Sequence, residues 1–251
     1  MAIQEGLIKL VGNLENLSFY KLKGKYFVRR KTGPSAEHLK TDIKYERCRE
    51  NMNEFKTVTQ FAKKIRVCVR SFLGLDADPD LKNRLVKTLY KVKAHDLIAP
   101  RGGRNPINAL KTEGGRKSFI GFKFSRPNNS LNHLMDAYSV CVIHNKLHLE
   151  SLNFHQNFRT LNKIHRVGFQ CIELDIDTES GFIESKIMQE QILENKRTSQ
   201  TLDLNCNLIQ SSKHIQLFIL KSRQLNALNE LSHSNQVVVE VIWISAINGI
   251  Q

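Results

Sequence analysis

The chain has 251 residues, of which 41% are hydrophobic and 25% are charged. This is the composition of a globular protein, and it excludes a chain that is disordered throughout. A chain of this length forms one large domain or two small ones and buries roughly 70% of its unfolded surface, so it needs no disulfide or metal to hold its fold.

The charge is unevenly distributed along the sequence. The formal net charge is +14, but residues 1–126 contain 28 basic and 12 acidic residues (+16), whereas residues 127–251 contain 10 basic and 12 acidic residues (−2). Positive charge concentrated in one half favours a polyanionic partner, and it names no reaction.

Targeting signals and cysteine usage indicate the compartment. The N-terminus lacks the basic segment and apolar stretch of a secretory signal, and no window reaches the length of a membrane span. The cysteines are far apart and form no Cys-x-x-Cys or Cys/His spacing. They are Cys48, Cys68, Cys141, Cys171 and Cys206. We therefore expect a soluble cytoplasmic protein with reduced thiols and no cofactor.

Residues 1–33 are predicted to form a small β unit. Segments Leu17–Leu22 and Tyr26–Lys31 flank Gly24, which can adopt the positive φ of a tight hairpin turn. The hairpin combines aromatic residues with six cations. These are Lys21, Lys23, Lys25, Arg29, Arg30 and Lys31. Two interpretations stay open: a half-buried hairpin with solvated charges, or a basic aromatic ribbon that contacts phosphates and stacks on bases.

From Ser35 to about residue 94 the apolar period becomes helical. Ser35 is expected to cap a short turn and Asp42 a longer helix, whose apolar stripe continues to Gly74. Asp78 and Pro79 then predict the start of another helix, which runs to about residue 93. Two or three helices packed as a small bundle are expected within a first domain of residues 1–98.

Residues 99–117 are predicted to be a Gly/Arg-rich linker, with four glycines, two prolines and five basic residues beside one acid. We expect Arg101, Arg104, Arg116 and Lys117 to be available for phosphate contact. A solvated linker without a ligand is the alternative interpretation.

The remaining residues, 118–251, show strand-length segments with alternating polarity. We predict an antiparallel β-sandwich of the immunoglobulin-like type, which makes the whole chain an α+β protein. The predicted strands are Ser118–Phe124, Tyr138–Ile143, Lys146–Leu152, Val167–Ile176, Ser185–Leu193, Thr201–Ile209, His214–Lys221 and Gln236–Ile247.

The sequence contains no P-loop, dinucleotide fingerprint or metalloprotease helix. We interpret His144 and His148 as surface histidines, and Glu173, Asp175 and Asp177 as the acidic face of a strand. As metal ligands, the three acids would define an enzyme acting on nucleic acid. No catalytic or metal-ligating residue is predicted.

A signature near the N-terminus resembles that of a family of uncharacterised Bacteroidota proteins, flavobacterial ones especially. Cys48 stands where the family usually has threonine. The matching residues are Ser18-Phe19-Tyr20-Lys21, Gly24, Arg29-Arg30, Gly33, Asp42, Tyr45, Arg47, Arg49-Glu50-Asn51 and Glu54-Phe55. The resemblance implies the two-part architecture and a bacterial source, and it supplies no functional site. Within the signature, Arg47 and Arg49 are expected to clamp the hairpin against a helix, or else to contact phosphates directly.

These observations lead to a non-enzymatic nucleic-acid-binding protein whose basic first half contacts phosphates. The alternative is a structural, self-assembling protein of phage or mobile-element type that oligomerises through its N-terminal hairpin and β-sandwich. The partner is DNA or RNA, or else another polyanion.

Overall fold

The computed structural model describes residues 2–31, 33–74, 78–126, 131, 139–143, 146–152, 166–194, 200–206, 209, 211, 213–225 and 237–245. It divides the chain into two compact units, Met1–Arg49 and Glu50–Gln251. In the part of the chain that is described, no helix combines the length and the apolar character needed to cross a membrane.

The first unit contains a four-stranded antiparallel sheet. Its strands are β1 (Ala2–Ile3), β2 (Gly12–Leu14), β3 (Leu17–Leu22) and β4 (Lys25–Arg30), in the order β1-β4-β3-β2. The predicted hairpin is confirmed, with Lys23 (φ 49°) and Gly24 (φ 81°) as the turn residues between β3 and β4. None of the described residues before residue 50 is buried.

A short helix and a helical turn complete the first unit. Helix α1 (Ala36–Thr41) begins after Ser35, whose hydroxyl accepts a hydrogen bond from the His38 amide as predicted. Asp42 caps the 3-10 turn Ile43–Tyr45 instead of the long helix that follows.

The second unit begins within a long helix. Helix α2 (Glu46–Leu73) ends before Gly74, whose φ of 59° favours glycine. Helix α3 (Leu81–Val92) starts after Asp80, slightly later than predicted. The helices bury the predicted apolar stripe from Val58 onward, whereas Cys48, Met52 and Phe55, predicted to begin it, are exposed. The buried part comprises Val58, Phe61, Ala62, Ile65, Val69, Phe72, Leu81, Leu85, Leu89 and Val92.

The linker prediction for residues 99–117 is wrong in its second half, which forms helices α4 (Pro106–Lys111) and α5 (Glu113–Phe119). The side chains of Asn105 and Thr112 cap the two helices. Gly114 and Gly115 hide the helical character of α5, because the low helix propensity of glycine outweighs the cap when the sequence is considered without its packing.

The predicted strand Ser118–Phe124 is also incorrect. Its first residues finish α5. Residues 121–124 form backbone hydrogen bonds with Val239 and Val241, but the only assigned β pairing among them is an isolated antiparallel bridge from Lys123 to Glu240. The aromatic rings of Phe119, Phe122 and Phe124 instead stack and cross in the interior, with centroids 5.6 and 5.1 Å apart. Alternating aromatic residues therefore mimic a strand here.

A three-stranded antiparallel sheet follows. Its strands are β5 (Ser139–Ile143), β6 (Lys146–Leu152) and β10 (Gln200–Asn205), in the order β10-β6-β5. These strands correspond to the predicted strands Tyr138–Ile143, Lys146–Leu152 and Thr201–Ile209, of which Tyr138 and residues 207 and 208 lie outside the described residues.

A larger antiparallel sheet is built around β7 (Arg166–Asp177), which pairs with β8 (Ile183–Ile187), β9 (Gln191–Glu194) and β11 (His214–Leu225). Strand β12 (Val238–Ile244) pairs with β11. The single strand predicted for 185–193 is thus two strands, both of which pair with β7. Residues 236, 246 and 247 of the last predicted strand are outside the described residues.

The larger sheet is covered on both faces. Phe169 and Cys171 of β7 belong to one hydrophobic cluster with the leucines of β6 and β10. Ile172 and Leu174 belong to a second cluster with the stripes of α2 and α3. Mixed helices and antiparallel sheets therefore form layers within one unit, which is why the chain does not divide at residues 98 and 118.

Candidate nucleic-acid interface

Four of the six cations predicted on the hairpin divide between the two faces of its sheet. Residues paired across antiparallel strands point to the same face. Tyr20 pairs with Phe27, and Ser18 with Arg29, whereas Lys21 pairs with Tyr26 on the opposite face. Each face therefore combines cations with aromatic rings.

The first face, which we call the Tyr20 face, carries Tyr20, Lys25, Phe27 and Arg29. The rings of Tyr20 and Phe27 are stacked, with centroids 5.7 Å apart and an interplanar angle of 23°. The guanidinium carbon of Arg29 lies 5.8 Å from the Tyr20 centroid, within cation–π range. The rings are half-buried and the cations exposed, so this face offers aromatic surface beside positive charge.

The opposite face carries Lys21, Tyr26 and Arg30. The Lys21 ammonium lies 5.2 Å from the Tyr26 centroid. Two further predicted cations leave both faces: Lys23 occupies the turn, and the Lys31 ammonium donates a hydrogen bond to the Glu15 carbonyl at 3.2 Å.

Residues 17–31 contain all six cations and neither aspartate nor glutamate. All six are exposed. Since no carboxylate within the segment neutralises these charges, the hairpin carries a concentrated positive charge.

The cations predicted at the Arg-Gly-Gly-Arg turn are tied to α2. Arg101 forms an ion pair with Glu50, with 3.1 Å between Nε and Oε2. The Gly102 amide donates to Oε1 of Glu54 at 2.8 Å, and the other carboxylate oxygen of Glu54 forms an ion pair with Lys93.

Arg104 contributes to the same cluster without a hydrogen bond at its Nε, which is buried and finds no partner among the described residues. Burial lowers the pKa of Lys93, and the charges of Arg104 and Arg101 lower it further. Lys93, Arg101 and Arg104 therefore lie close enough for their charges to interact, with Glu54 as the partner of Lys93 and Glu50 as that of Arg101.

Arg116 and Lys117 lie instead on α5. The guanidinium of Arg116 donates to the Lys111 carbonyl at 2.8 Å, at the end of α4, and burial lowers its pKa. Lys117 pairs with Glu113 one helical turn away, at 2.5 Å. These two predicted residues therefore already have partners within α4 and α5.

The clamp predicted for the arginines of the signature holds a different element. The Arg49 guanidinium donates to the carbonyls of Leu39 and Asp42, at 3.0 and 2.8 Å. Arg49 therefore fastens the connection between α1 and α2, and neither bond involves the hairpin.

The predicted acidic face of β7 is wrong for Glu173, which is buried, and the three carboxylates have separate partners. The amide of Gln216 donates to Glu173, and the His214 ring contacts Asp175 at 3.0 Å. Asp177 accepts bonds from the Ser180 hydroxyl and the Glu179 amide, which lower its pKa. In the described ranges, no group of three or more His, Cys, Asp or Glu side chains is arranged to hold a metal ion.

Of the histidines considered in the sequence, His148 contacts Asp203 on the neighbouring strand, with 2.7 Å between Nδ1 and Oδ1. His144 lies outside the described residues.

The sequence predicted a basic aromatic ribbon, but it did not assign Tyr20 and Phe27 to the same face as Arg29. Strand register is the signal that groups them: once Lys23 and Gly24 are taken as a two-residue turn, Tyr20 must face Phe27. Comparison with protein-family models, curated proteins and solved structures gives no match.

Proposed function

We propose that this chain binds nucleic acid and catalyses no reaction on it. The observation that carries the proposal is the Tyr20 face, where a stacked aromatic pair lies beside Arg29 in a segment free of carboxylates. Phosphates would contact the exposed cations, and an unpaired base would stack on a half-buried ring.

Single-stranded nucleic acid fits this face better than a duplex does. Bases within a duplex already stack on each other, whereas the bases of a single strand are free to stack on aromatic side chains. The presence of rings among the cations therefore supports a nucleic acid over a polyanion that has no bases.

The test is a binding titration by fluorescence anisotropy with a labelled single strand at several salt concentrations. If about six phosphates are contacted, the affinity should fall steeply with salt, by a slope of about −4 on logarithmic axes. Tyr20→Leu should weaken binding about tenfold through lost stacking. Tyr45→Leu, the same substitution outside the hairpin, is the matched control and should bind like the wild type. Weak binding with no salt dependence would contradict the proposal.

The proposal includes a cytoplasmic location and an immunoglobulin-like β-sandwich as the interaction module. All five cysteines are free, which supports a reducing compartment. The hydrophobic cluster that the two C-terminal sheets share supports the sandwich.

Self-assembly, of the kind found in phage or mobile-element structural proteins, is a second candidate, because the first unit exposes apolar side chains. Leu7 and Ile8 are 105% and 80% exposed, and Val11 is 69% exposed. Surface of this kind favours contact with another protein surface. If it joins copies of the chain, the wild type should form a defined oligomer in size-exclusion chromatography with light scattering. The triple variant Leu7→Ser, Ile8→Ser, Val11→Ser should then be monomeric, whereas a monomeric wild type would exclude this function.

A further inference from the structure

A groove runs between α2 and α3 in the second unit. We call it the α2–α3 groove, and it has a volume of about 760 Å³. Its lining combines two exposed aromatic rings with lysines and small side chains. The lining residues are Phe55, Thr59, Lys82, Asn83, Val86, Lys87, Tyr90 and Lys91.

The two rings form an open aromatic surface. Phe55 is 52% exposed and Tyr90 is 37% exposed, and their centroids are 6.3 Å apart. The buried ammonium of Lys93 lies 4.0 Å from the Tyr90 centroid and so fixes the position of that ring by a cation–π contact. An aromatic pair held in this way, but left accessible, can accept a flat apolar ligand group.

A second, more polar cavity of about 520 Å³ shares Lys87 and Lys91 with the groove. Lys123 and Ser118 also line it. Arg84 lines it too, but its guanidinium is occupied by Asp78 and by the carbonyls of Lys123 and Ser125. The lysines shared by the two cavities are therefore the ones available to a ligand that spans both.

No carboxylate is among the residues that line either cavity in the described part of the chain. Helix α3 itself carries four cations and no acidic residue. Lys87 and Lys91 are one helical turn apart, so they repel each other unless an anion lies between them. Neither lysine has an ion-pair partner within the described ranges.

We propose that the α2–α3 groove binds a single strand of nucleic acid, with a base against Phe55 and Tyr90 and the backbone phosphates at Lys87 and Lys91. The inference rests on the proposed function and adds a second contact site, in the other unit of the chain. An acidic peptide would match the lysines, but the polar cavity into which they lead offers its apolar side chains little to contact. A phosphate backbone carries charge at every step and suits both cavities.

The first experiment neutralises the lysines. Binding of the full chain to a labelled oligothymidylate about 20 nucleotides long is measured against salt concentration. The variant Lys87→Gln, Lys91→Gln should make the logarithmic salt slope shallower by about 1.4, since each phosphate contact on a single strand contributes about 0.7. The control Lys146→Gln, Lys186→Gln makes the same change of charge at exposed positions on two strands and should keep the wild-type slope.

The second experiment separates stacking from charge. Phe55→Leu should weaken oligothymidylate binding about tenfold and leave the binding of inorganic polyphosphate unchanged, because polyphosphate has no bases. Phe182→Leu removes another ring, 65% exposed, and should have no effect. With wild-type protein, an oligonucleotide containing 5-bromodeoxyuridine should crosslink to the peptides that contain Phe55 or Tyr90, a result that does not depend on how any variant folds.

The outcomes distinguish the two proposals. If the groove variants bind like the wild type while Tyr20→Leu binds weakly, the groove is excluded and the hairpin interface stands. If the wild type binds no oligonucleotide at low salt, the proposed function itself fails. A last outcome is that polyglutamate competes for the protein as well as an unlabelled oligonucleotide does, while Phe55→Leu changes the binding of neither polymer. In that case the groove binds acidic protein segments and the inference is overturned.

Discussion

The amide of Gly102 donates a hydrogen bond to Oε1 of Glu54 at 2.8 Å, although the two residues are 48 positions apart in the chain. The same carboxylate pairs with Lys93, and both charged side chains are almost fully buried, at 3% and 7% exposure. This relationship fastens the Arg-Gly-Gly-Arg turn to α2. Glu54 thereby holds both Lys93 and the backbone of the turn that carries Arg101 and Arg104.

Replacing Glu54 should therefore destabilise the second unit strongly. Glu54→Gln keeps the shape of the side chain and leaves the ammonium of Lys93 buried without its counter-charge, which should lower the free energy of unfolding by about 3 kcal/mol. Urea denaturation followed by circular dichroism measures it. Glu50→Gln breaks the more exposed pair with Arg101 and should cost less than about 1 kcal/mol. Equal losses of unfolding free energy in the two variants would show that the burial of the Glu54–Lys93 pair adds nothing to its contribution to stability.

Gly115 tolerates no side chain. A Cβ at this position would lie 1.9 Å from the carbonyl oxygen of Ala109, so the backbones of α4 and α5 would have to separate. Gly115→Ala should lower the unfolding free energy by more than about 2 kcal/mol, although alanine is the better helix former by about 1 kcal/mol. Gly103→Ala, where the nearest atom is 3.5 Å away, should change stability by less than about 0.5 kcal/mol. Thermal unfolding of the two variants, compared with the wild type, decides between these expectations.

The buried thiols predict a loss of stability in alkaline solution. Burial raises the pKa of Cys206 from 9.0 to about 11 and also raises that of Cys171, with the charge of Glu173 adding to both shifts. As the pH rises, the thiols of the unfolded chain therefore lose their protons before those of the folded chain. Their contribution to the free energy of unfolding is complete below pH 9 and is lost as the pH rises towards 11. The loss is at most about 1.4 kcal/mol per pH unit for each thiol.

The urea midpoint measured between about pH 8 and pH 10 should fall, and it should fall less in the variant Cys171→Ala, Cys206→Ala. A thiol reagent at neutral pH gives the complementary measurement: the exposed Cys48 should react with native protein, whereas Cys171 and Cys206 should react only after unfolding. Rapid labelling of all three in native protein would contradict the pKa assignment.

Arg84 should not be replaceable by lysine. Its guanidinium donates to Asp78 at 2.6 Å and to the carbonyls of Lys123 and Ser125 at 2.9 and 2.8 Å. A lysine cannot make this planar set of bonds, so Arg84→Lys should cost about 2 kcal/mol in unfolding free energy. Lys87→Arg, the reverse exchange at an exposed position on the same helix, should be neutral. Chemical denaturation of both proteins provides the comparison.

The sequence was sufficient where the pattern is local. The period of apolar residues predicted α2 and α3, and Gly24 between two short β segments predicted the hairpin. Helices α4 and α5 were missed, because Gly115 is required by a close approach to Ala109 that no local pattern reveals. The layers were missed for a related reason: β7 places Phe169 and Ile172 in different clusters, and what covers each face depends on distant parts of the chain.

The candidate site shows the same division. The sequence identified the cations at 21–31 and 101–117, but it could not tell that Arg101 has Glu50 as its partner or that Arg116 closes α4. The sequence does not distinguish Lys87 and Lys91, because lysines on the polar side of an amphipathic helix are ordinary. The ion pairs and hydrogen bonds of each cation decide whether a ligand can reach its charge, and these partners are set by the tertiary structure.

The double covering of the central sheet bears on how the chain folds during synthesis. Strand β7 pairs with β11 between residues that are far apart in the sequence, such as Arg166 and Leu225, and β12, which pairs with β11, follows both in the chain. The cluster that covers the stripes of α2 and α3 includes Val239 and Val241 of β12, so these helices emerge from the ribosome long before their covering surface exists. We expect slow folding governed by non-local pairing, and a nascent chain that exposes apolar helix faces until β12 is made.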